Sequence, residues 1–302
     1  RELDPVATIK APAPGVTDDG SGTAAVMELA RVMSRYRFRK TIVFIAFAAE
    51  EYGLFGSGLY AEEAAARHDR IDGVFNNDII GSDVTGNGET TNRYVNVYSE
   101  GPEDSSSREL ARYMKRMAEC YRPGFGIHLI FRQDRFGRGG DHSSFNAAGY
   151  AAVRVTTPME NYSQQHTATD TFENTAPAYT ALVTQANAAT IASLALAPRA
   201  PEIRTLSRGH GADGYAGYDA VMIWQGGRRD PNLLGYTIVV RKTTAPDWQR
   251  EIFAGDVNTY TLPSVNIDQV VLGLKAIGRD GGESPVSAYV ASPYPRRKIE
   301  TY

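Results

Sequence analysis

The chain has 302 residues, of which 42% are hydrophobic and 22% charged, with a formal net charge of -3 and no long low-complexity tract. Such a length suits two globular domains. The near-balanced charge gives no electrostatic reason to expect nucleic acid or an anionic membrane as a partner, and the longest apolar run, Thr41 to Ala49, is too short to span a bilayer. A single cysteine, Cys120, excludes an internal disulfide framework and a cysteine-based zinc site.

The first residues, Arg1-Glu2-Leu3-Asp4-Pro5, are loop-like and lack a signal-peptide pattern, and a candidate catalytic motif is reached by Asp18. An N-terminal stretch is therefore expected to precede what the chain contains. After Asp18-Asp19-Gly20-Ser21-Gly22, apolar Val26, Leu29, Ala30 and Met33 recur at helical spacing. Thr41 to Ala48 is a continuous β-branched and aromatic run, expected as a strand covered on both faces. A helix is expected over Leu59 to Arg67. Further strands are expected at Gly73 to Asn76, Tyr94 to Tyr98, Ile127 to Phe131 and Ala151 to Thr157, with helices at Ser107 to Glu119 and Ala178 to Leu196. This alternation predicts an α/β three-layer sandwich with a mixed, mostly parallel central sheet over residues 1–199.

Ala197-Pro198-Arg199-Ala200-Pro201 is the expected linker, because its prolines bar helix continuation. Beyond it, over residues 200–302, the period changes to two: Tyr236, Ile238 and Val240 alternate, as do Val270, Leu272, Leu274 and Ala276. A C-terminal all-β sandwich is predicted. A Trp224 strand, the Tyr236 strand, Tyr260-Thr261-Leu262, the Leu272 strand and Gly282-Glu283-Ser284-Pro285, in that order, resemble a fibronectin type III-like module.

Ligands of open α/β sheets bind beyond the carboxyl ends of the strands. Glu50-Glu51 follow the Thr41 strand, Asp78 follows the Gly73 strand, His166 lies in the loop after the Ala151 strand, and Asp18 precedes the first helix. Each has a plain structural explanation when taken alone: a helix cap, a solvated turn, a strand-ending turn, a loop histidine. Together, carboxylates and an imidazole at one rim would repel or desolvate one another unless a cation joined them, and this donor mix suits Zn2+.

Five motifs in order resemble the zinc aminopeptidases of metallopeptidase family twenty-eight, which include the bacterial leucyl aminopeptidases. They are Ala13-Pro14-Gly15-Val16-Thr17-Asp18-Asp19-Gly20-Ser21-Gly22, Phe47-Ala48-Ala49-Glu50-Glu51-Tyr52-Gly53-Leu54-Phe55-Gly56-Ser57, Asn77-Asp78-Ile79-Ile80-Gly81, Asp141-His142-Ser143-Ser144-Phe145 and His166-Thr167-Ala168-Thr169-Asp170-Thr171. The resemblance implies that Asp18 bridges two Zn2+ ions, that Glu51 and His166 complete one site, and that Asp78 belongs to the other. It places Glu50 as general base, Asp141 and His142 as support behind the ligands, and a peptide or protein as substrate. It also implies an extracellular or periplasmic location.

Two departures stand out. The family takes a further zinc-ligating histidine from upstream of the bridging aspartate, whereas the five histidines here, His68, His128, His142, His166 and His210, all follow Asp18. The family also often places a tyrosine near the substrate carbonyl, whereas Gln165 precedes His166 here and Tyr162 is the nearest candidate. Two alternatives remain open: a glutaminyl cyclase-like enzyme with one zinc on Asp18, Glu51 and His166, and a non-catalytic binding relative. No Gly-x-Ser-x-Gly elbow supports a serine hydrolase.

Overall fold

A computed structural model describes residues 12–210, 216–226 and 230–289. The expected loop-like start at residues 1–5 lies outside the described residues, as does the C-terminal end of the all-β region from residue 290.

The N-terminal half contains helices α1 (Ser21–Met33), α2 (Phe55–Ala66), α3 (Ser106–Tyr121), α4 (His142–Ala147) and α5 (Pro177–Leu196), and strands β1 (Val74–Asn77), β2 (Tyr94–Ser99), β3 (Gly126–Ile130) and β4 (Ala152–Thr156). The strands form one mixed sheet in the order β1-β4-β2-β3. β1 and β4 run parallel, as do β2 and β3, while β2 and β4 are antiparallel. Alternation along the strands decides the two faces. Val95, Val97, Val153 and Val155 turn one way and pack with Leu110, Met114 and Ala118 of α3, Tyr179 and Val183 of α5, and Ala25 of α1. Ala152 turns the other way and packs with Ala61 of α2 and Phe145 of α4.

α3 is capped by Ser105, whose side chain accepts from Arg108 N, and α5 starts with proline in its first turn, where no backbone donor is lost. Gly22 serves a close approach: a Cβ there would lie 2.1 Å from the Asn77 carbonyl oxygen. The start of α1 is thereby pressed against the end of β1, the two places from which Asp18 and Asp78 project.

The expected strand over Thr41 to Ala48 is corrected. Among the described residues nothing pairs with this segment, and it is only partly covered, with Val43 61% exposed. Its β-branched residues keep the chain extended, but a ladder needs a neighbour at about 4.8 Å. Instead, a cavity of about 1190 Å3, lined by Ile42, Phe44 and Ile45 on one side and Val74, Phe75 and Asn76 of β1 on another, separates this segment from the sheet edge.

Past residue 201 the structure is antiparallel. β5 (Glu202–His210), β6 (Ala216–Gln225) and β9 (Thr259–Leu262) form one sheet in the order β5-β6-β9. β7 (Leu233–Lys242), β8 (Arg250–Gly255), β10 (Val270–Gly278) and β11 (Ser287–Ala288) form the other, ordered β11-β10-β7-β8. Met222, Trp224, Tyr236, Ile238, Leu272 and Leu274 fill the core between them.

This β module docks on α3 through ion pairs, buried at Arg241 and Arg112 and more exposed at Lys115 and Arg116. Arg241, 0% exposed, pairs with Asp104 just before α3, and its guanidinium stacks 5.4 Å from the Trp248 ring centre. Trp248 Nε1 donates to Glu109 Oε2 at 2.9 Å, and Arg112 Nε donates to the Pro246 carbonyl at 2.6 Å. Lys115 reaches Asp247 at 2.7 Å, and Arg116 reaches Glu251 at 2.9 Å. No helix of the described residues is long and apolar enough to cross a membrane.

Two outcomes follow from this packing. Gly22→Ala overpacks the α1–β1 contact and is expected to lower stability by about 1–3 kcal/mol in urea unfolding; a midpoint equal to wild type would contradict the close approach. Arg241→Met leaves Asp104 with Arg112, 3.3 Å away, as its remaining buried partner and is expected to cost about 1.5–3 kcal/mol, with the Arg241→Met/Asp104→Asn pair costing less than the sum of the two single changes. A double-mutant cycle measures this directly, and strict additivity would mean that the two charges do not interact.

Candidate metal centre

Three side chains from remote parts of the chain converge. His166 Nε2 lies 3.0 Å from Asp18 Oδ2 and 2.7 Å from Glu51 Oε1. One donor atom from each falls within 4.8 Å of the others, the one such group among the described residues. Tetrahedral zinc with bonds of about 2.0–2.2 Å sets its ligand atoms roughly 3.3–3.6 Å apart, so the three donors lie close enough to share such an ion after small side-chain shifts.

Each candidate side chain is positioned by its backbone. Asp18 lies in the tight turn Val16–Gly20, which Asp170 fastens: Asp170 Oδ1 accepts from Thr17 N at 2.9 Å and Oδ2 accepts from Asp18 N at 3.0 Å. Glu50 and Glu51 follow the extended segment, where the Glu50 carbonyl accepts from Gly53 N at 3.0 Å and Leu54 N at 2.9 Å. Asp78 follows β1, and its N–H donates to the Val155 carbonyl at 3.1 Å. At these loops Ala49, Ile79 and His166 adopt left-handed backbone with φ of 61°, 61° and 57°. Non-glycine residues rarely do so, a β-branched one least of all, and such residues cluster at functional sites. Ile79 is held by the Asp19 carboxylate, which accepts from its N–H at 3.1 Å, and by Thr157 N, which donates to its carbonyl at 2.9 Å.

The surroundings are acidic. Burial, with Asp78, Glu51, Asp141 and Asp18 nearby, pushes the Glu50 carboxyl up to about 7. Asp19 is raised well above the usual carboxylate range, by burial first and then by Asp78. Burial also raises Asp78 to about 7 against the opposing pull of the Arg154 guanidinium, 3.0 Å away. A cluster of this sign favours any cation that enters.

Asp78, Asp141 and His142 surround the site without joining the triad. Burial raises Asp141, opposed by its hydrogen bond with Ser57. His142, fully buried, places Nε2 2.9 Å from the Gln133 carbonyl, and burial lowers its pKa, so the neutral ring donates there. Tyr162 is 65% exposed, with the Arg138 guanidinium 5.8 Å from its ring centre.

Sequence reasoning gave no role to Asp170, Arg154, Asp134, Glu160 or Gln165. Asp170 sits four residues after His166 in the same motif, which is the one signal that could have found it. Arg154 lies inside a strand run and Asp134, Arg135 and Glu160 in loops, where nothing in the order of residues marks their meeting.

Comparison with known proteins places the chain. The model for peptidase family M28 matches residues 3–191. A probable zinc metalloprotease of Leptosphaeria maculans is 34% identical over 300 residues, covering 90% of this chain and 68% of the relative. Another from Pyricularia oryzae is 35% identical over 314, covering 93% and 61%, and one from Pyrenophora teres f. teres is 33% identical over 308, covering 90% and 61%. The chain thus spans between 61% and 68% of these relatives. The crystal structure of Legionella LapA matches with a TM-score of 0.51 at 25% identity, covering 60% of this chain and 48% of that one. A second structure, of the LapA aminopeptidase of Legionella pneumophila, matches with a TM-score of 0.51 at 24% identity, covering 62% and 53%, and speaks for the fold alone. With more than half its length matched and its acidic triad formed in the matched part, the chain belongs to peptidase family M28.

Proposed function

We propose that the chain is the catalytic part of a zinc-dependent exopeptidase that releases N-terminal residues from peptides. The observation that carries this reading is the triad itself: two carboxylates and an imidazole, from segments 33 and 115 residues apart along the chain, with donor atoms inside 4.8 Å. Asp18, Glu51 and His166 would hold the ion, and Asp78 would serve a second one. Zinc supplies Lewis acidity toward a peptide carbonyl and makes water a competent nucleophile near neutral pH.

The remaining work belongs to the chain. Glu50, next to a ligand but outside the triad, accepts the proton of the attacking water and returns it to the leaving amine. Asp141 and His142 support this acidic wall from behind. Tyr162 stands on the loop that leads to Gln165 and His166, where it can meet the substrate carbonyl.

The resemblance in five ordered motifs supports aminopeptidase specificity, an extracellular or periplasmic location and residues 1–199 as the catalytic unit, and the order of the Trp224, Tyr236, Tyr260 and Leu272 strands supports residues 200–302 as a fibronectin type III-like module. A glutaminyl cyclase-like reading has one observation in its favour, since the donors that meet are the three that a single-zinc enzyme would use.

Glu50→Gln is expected to keep wild-type zinc content while kcat on an aminoacyl anilide falls by about 10²–10⁴; turnover within threefold of wild type would remove Glu50 from the mechanism. Chelation is expected to abolish turnover and added zinc to restore it, and elemental analysis of the loaded chain gives the ion count. Ring closure of an N-terminal glutamine peptide without anilide hydrolysis would favour the cyclase reading instead.

A further inference from the structure

Asp78 and Asp18 are the two ends of one polar chain whose charges alternate from Asp78 to Glu160 and which the neutral amide of Gln165 completes. Arg154 Nη2 lies 3.0 Å from Asp78 Oδ2, and Arg154 Nη1 donates to Asp134 Oδ1 at 2.7 Å. The same Asp134 oxygen accepts from Arg135 Nε at 3.1 Å, and the Arg135 guanidinium pairs with Glu160. Glu160 Oε2 accepts from Gln165 Nε2 at 3.3 Å, and that nitrogen also reaches Asp18 Oδ2 at 3.2 Å. Arg138 braces the far end, 3.1 Å from Glu160 Oε2 and 3.2 Å from Gln165 Oε1. The side chains of Arg154, Asp134 and Glu160 are 0%, 2% and 4% exposed.

An arginine with no solvent access stays charged and must be met by carboxylates; here Nη1 is hydrogen-bonded to Asp134, while Nη2 faces Asp78 as an ion pair without hydrogen-bond geometry. Arg154 stands in the middle of β4, opposite Asn76 on β1 and Tyr98 on β2, so its Cα cannot drift without shifting three strands. It touches neither the triad nor any place where substrate would react.

Resting on the reading of Asp78 as a zinc ligand, we propose that Arg154 is a positioning residue for that aspartate. Its guanidinium takes Oδ2 from behind and, anchored on Asp134, fixes the carboxylate's direction and its distance from Asp18. Partners behind a metal ligand typically govern affinity by 10–100-fold, and this arginine does so from a strand rather than a loop.

Zinc titration of the full chain against a competing chelator tests this. Asp78→Asn and Arg154→Gln are expected to weaken the same zinc ion, the latter by about 10–100-fold, while affinity at the triad stays within threefold of wild type. Arg154→Lys, which keeps the charge but cannot fork between Asp78 and Asp134, is expected to be intermediate. The pair Arg154→Met/Asp134→Asn removes both members of the buried ion pair; a wild-type circular dichroism spectrum with the same loss of zinc separates positioning from unfolding. Wild-type zinc affinity in Arg154→Gln and in the pair, with Asp78→Asn impaired, would overturn the proposal. If the pair does not fold, Arg154→Lys decides, and wild-type affinity there overturns it. If Asp78→Asn changes no zinc affinity, Asp78 is not a ligand, and the proposal fails together with that underlying reading.

Discussion

The rim of the N-terminal sheet is organised by repulsion that has to be answered. Asp18, Asp19, Glu50, Glu51, Asp78 and Asp141 bring six carboxylates to one region, several of them out of water, where like charges interact strongly and ionisation becomes costly. Two features answer it. Arg154, anchored in the sheet, serves Asp78 on the inner side. On the outer side the imidazole of His166 stands between Asp18 and Glu51, in a geometry that a divalent ion satisfies.

Strict local geometry keeps those acids together. Asp170 ties the Asp18 turn to the loop of His166, so that two ligands distant in sequence share one anchor. Asp19 ties the same turn to Ile79, next to Asp78. Gly22 lets α1 approach β1 closely enough for both ties to close. The left-handed residues at all three site loops are the local cost of aiming the side chains, and the hydrogen bonds around them hold that conformation.

The β module is attached on another principle. Its contact with α3 is dominated by ion pairs and by Trp248 rather than by a continuous apolar face. Buried pairs add little net stability but strongly penalise any orientation in which they separate, so this contact fixes geometry more than it adds energy. It lies on the helix that covers the face of the sheet opposite α2 and α4.

The sequence by itself determined the helices and most strands, because their apolar periods are local, and it picked out Asp18, Glu51 and His166, because acids and imidazole at strand ends carry a recognisable chemistry. It named Thr41 to Ala48 a buried strand, yet a strand is buried only by neighbours, and none among the described residues lies beside it. The tertiary structure alone decided which acids meet at a common point and which, like Asp78, are held by an arginine instead. It also decided that Asp134, Glu160 and Gln165 join that arginine to Asp18. Such pairings depend on distances between segments far apart in sequence, and no local pattern encodes them.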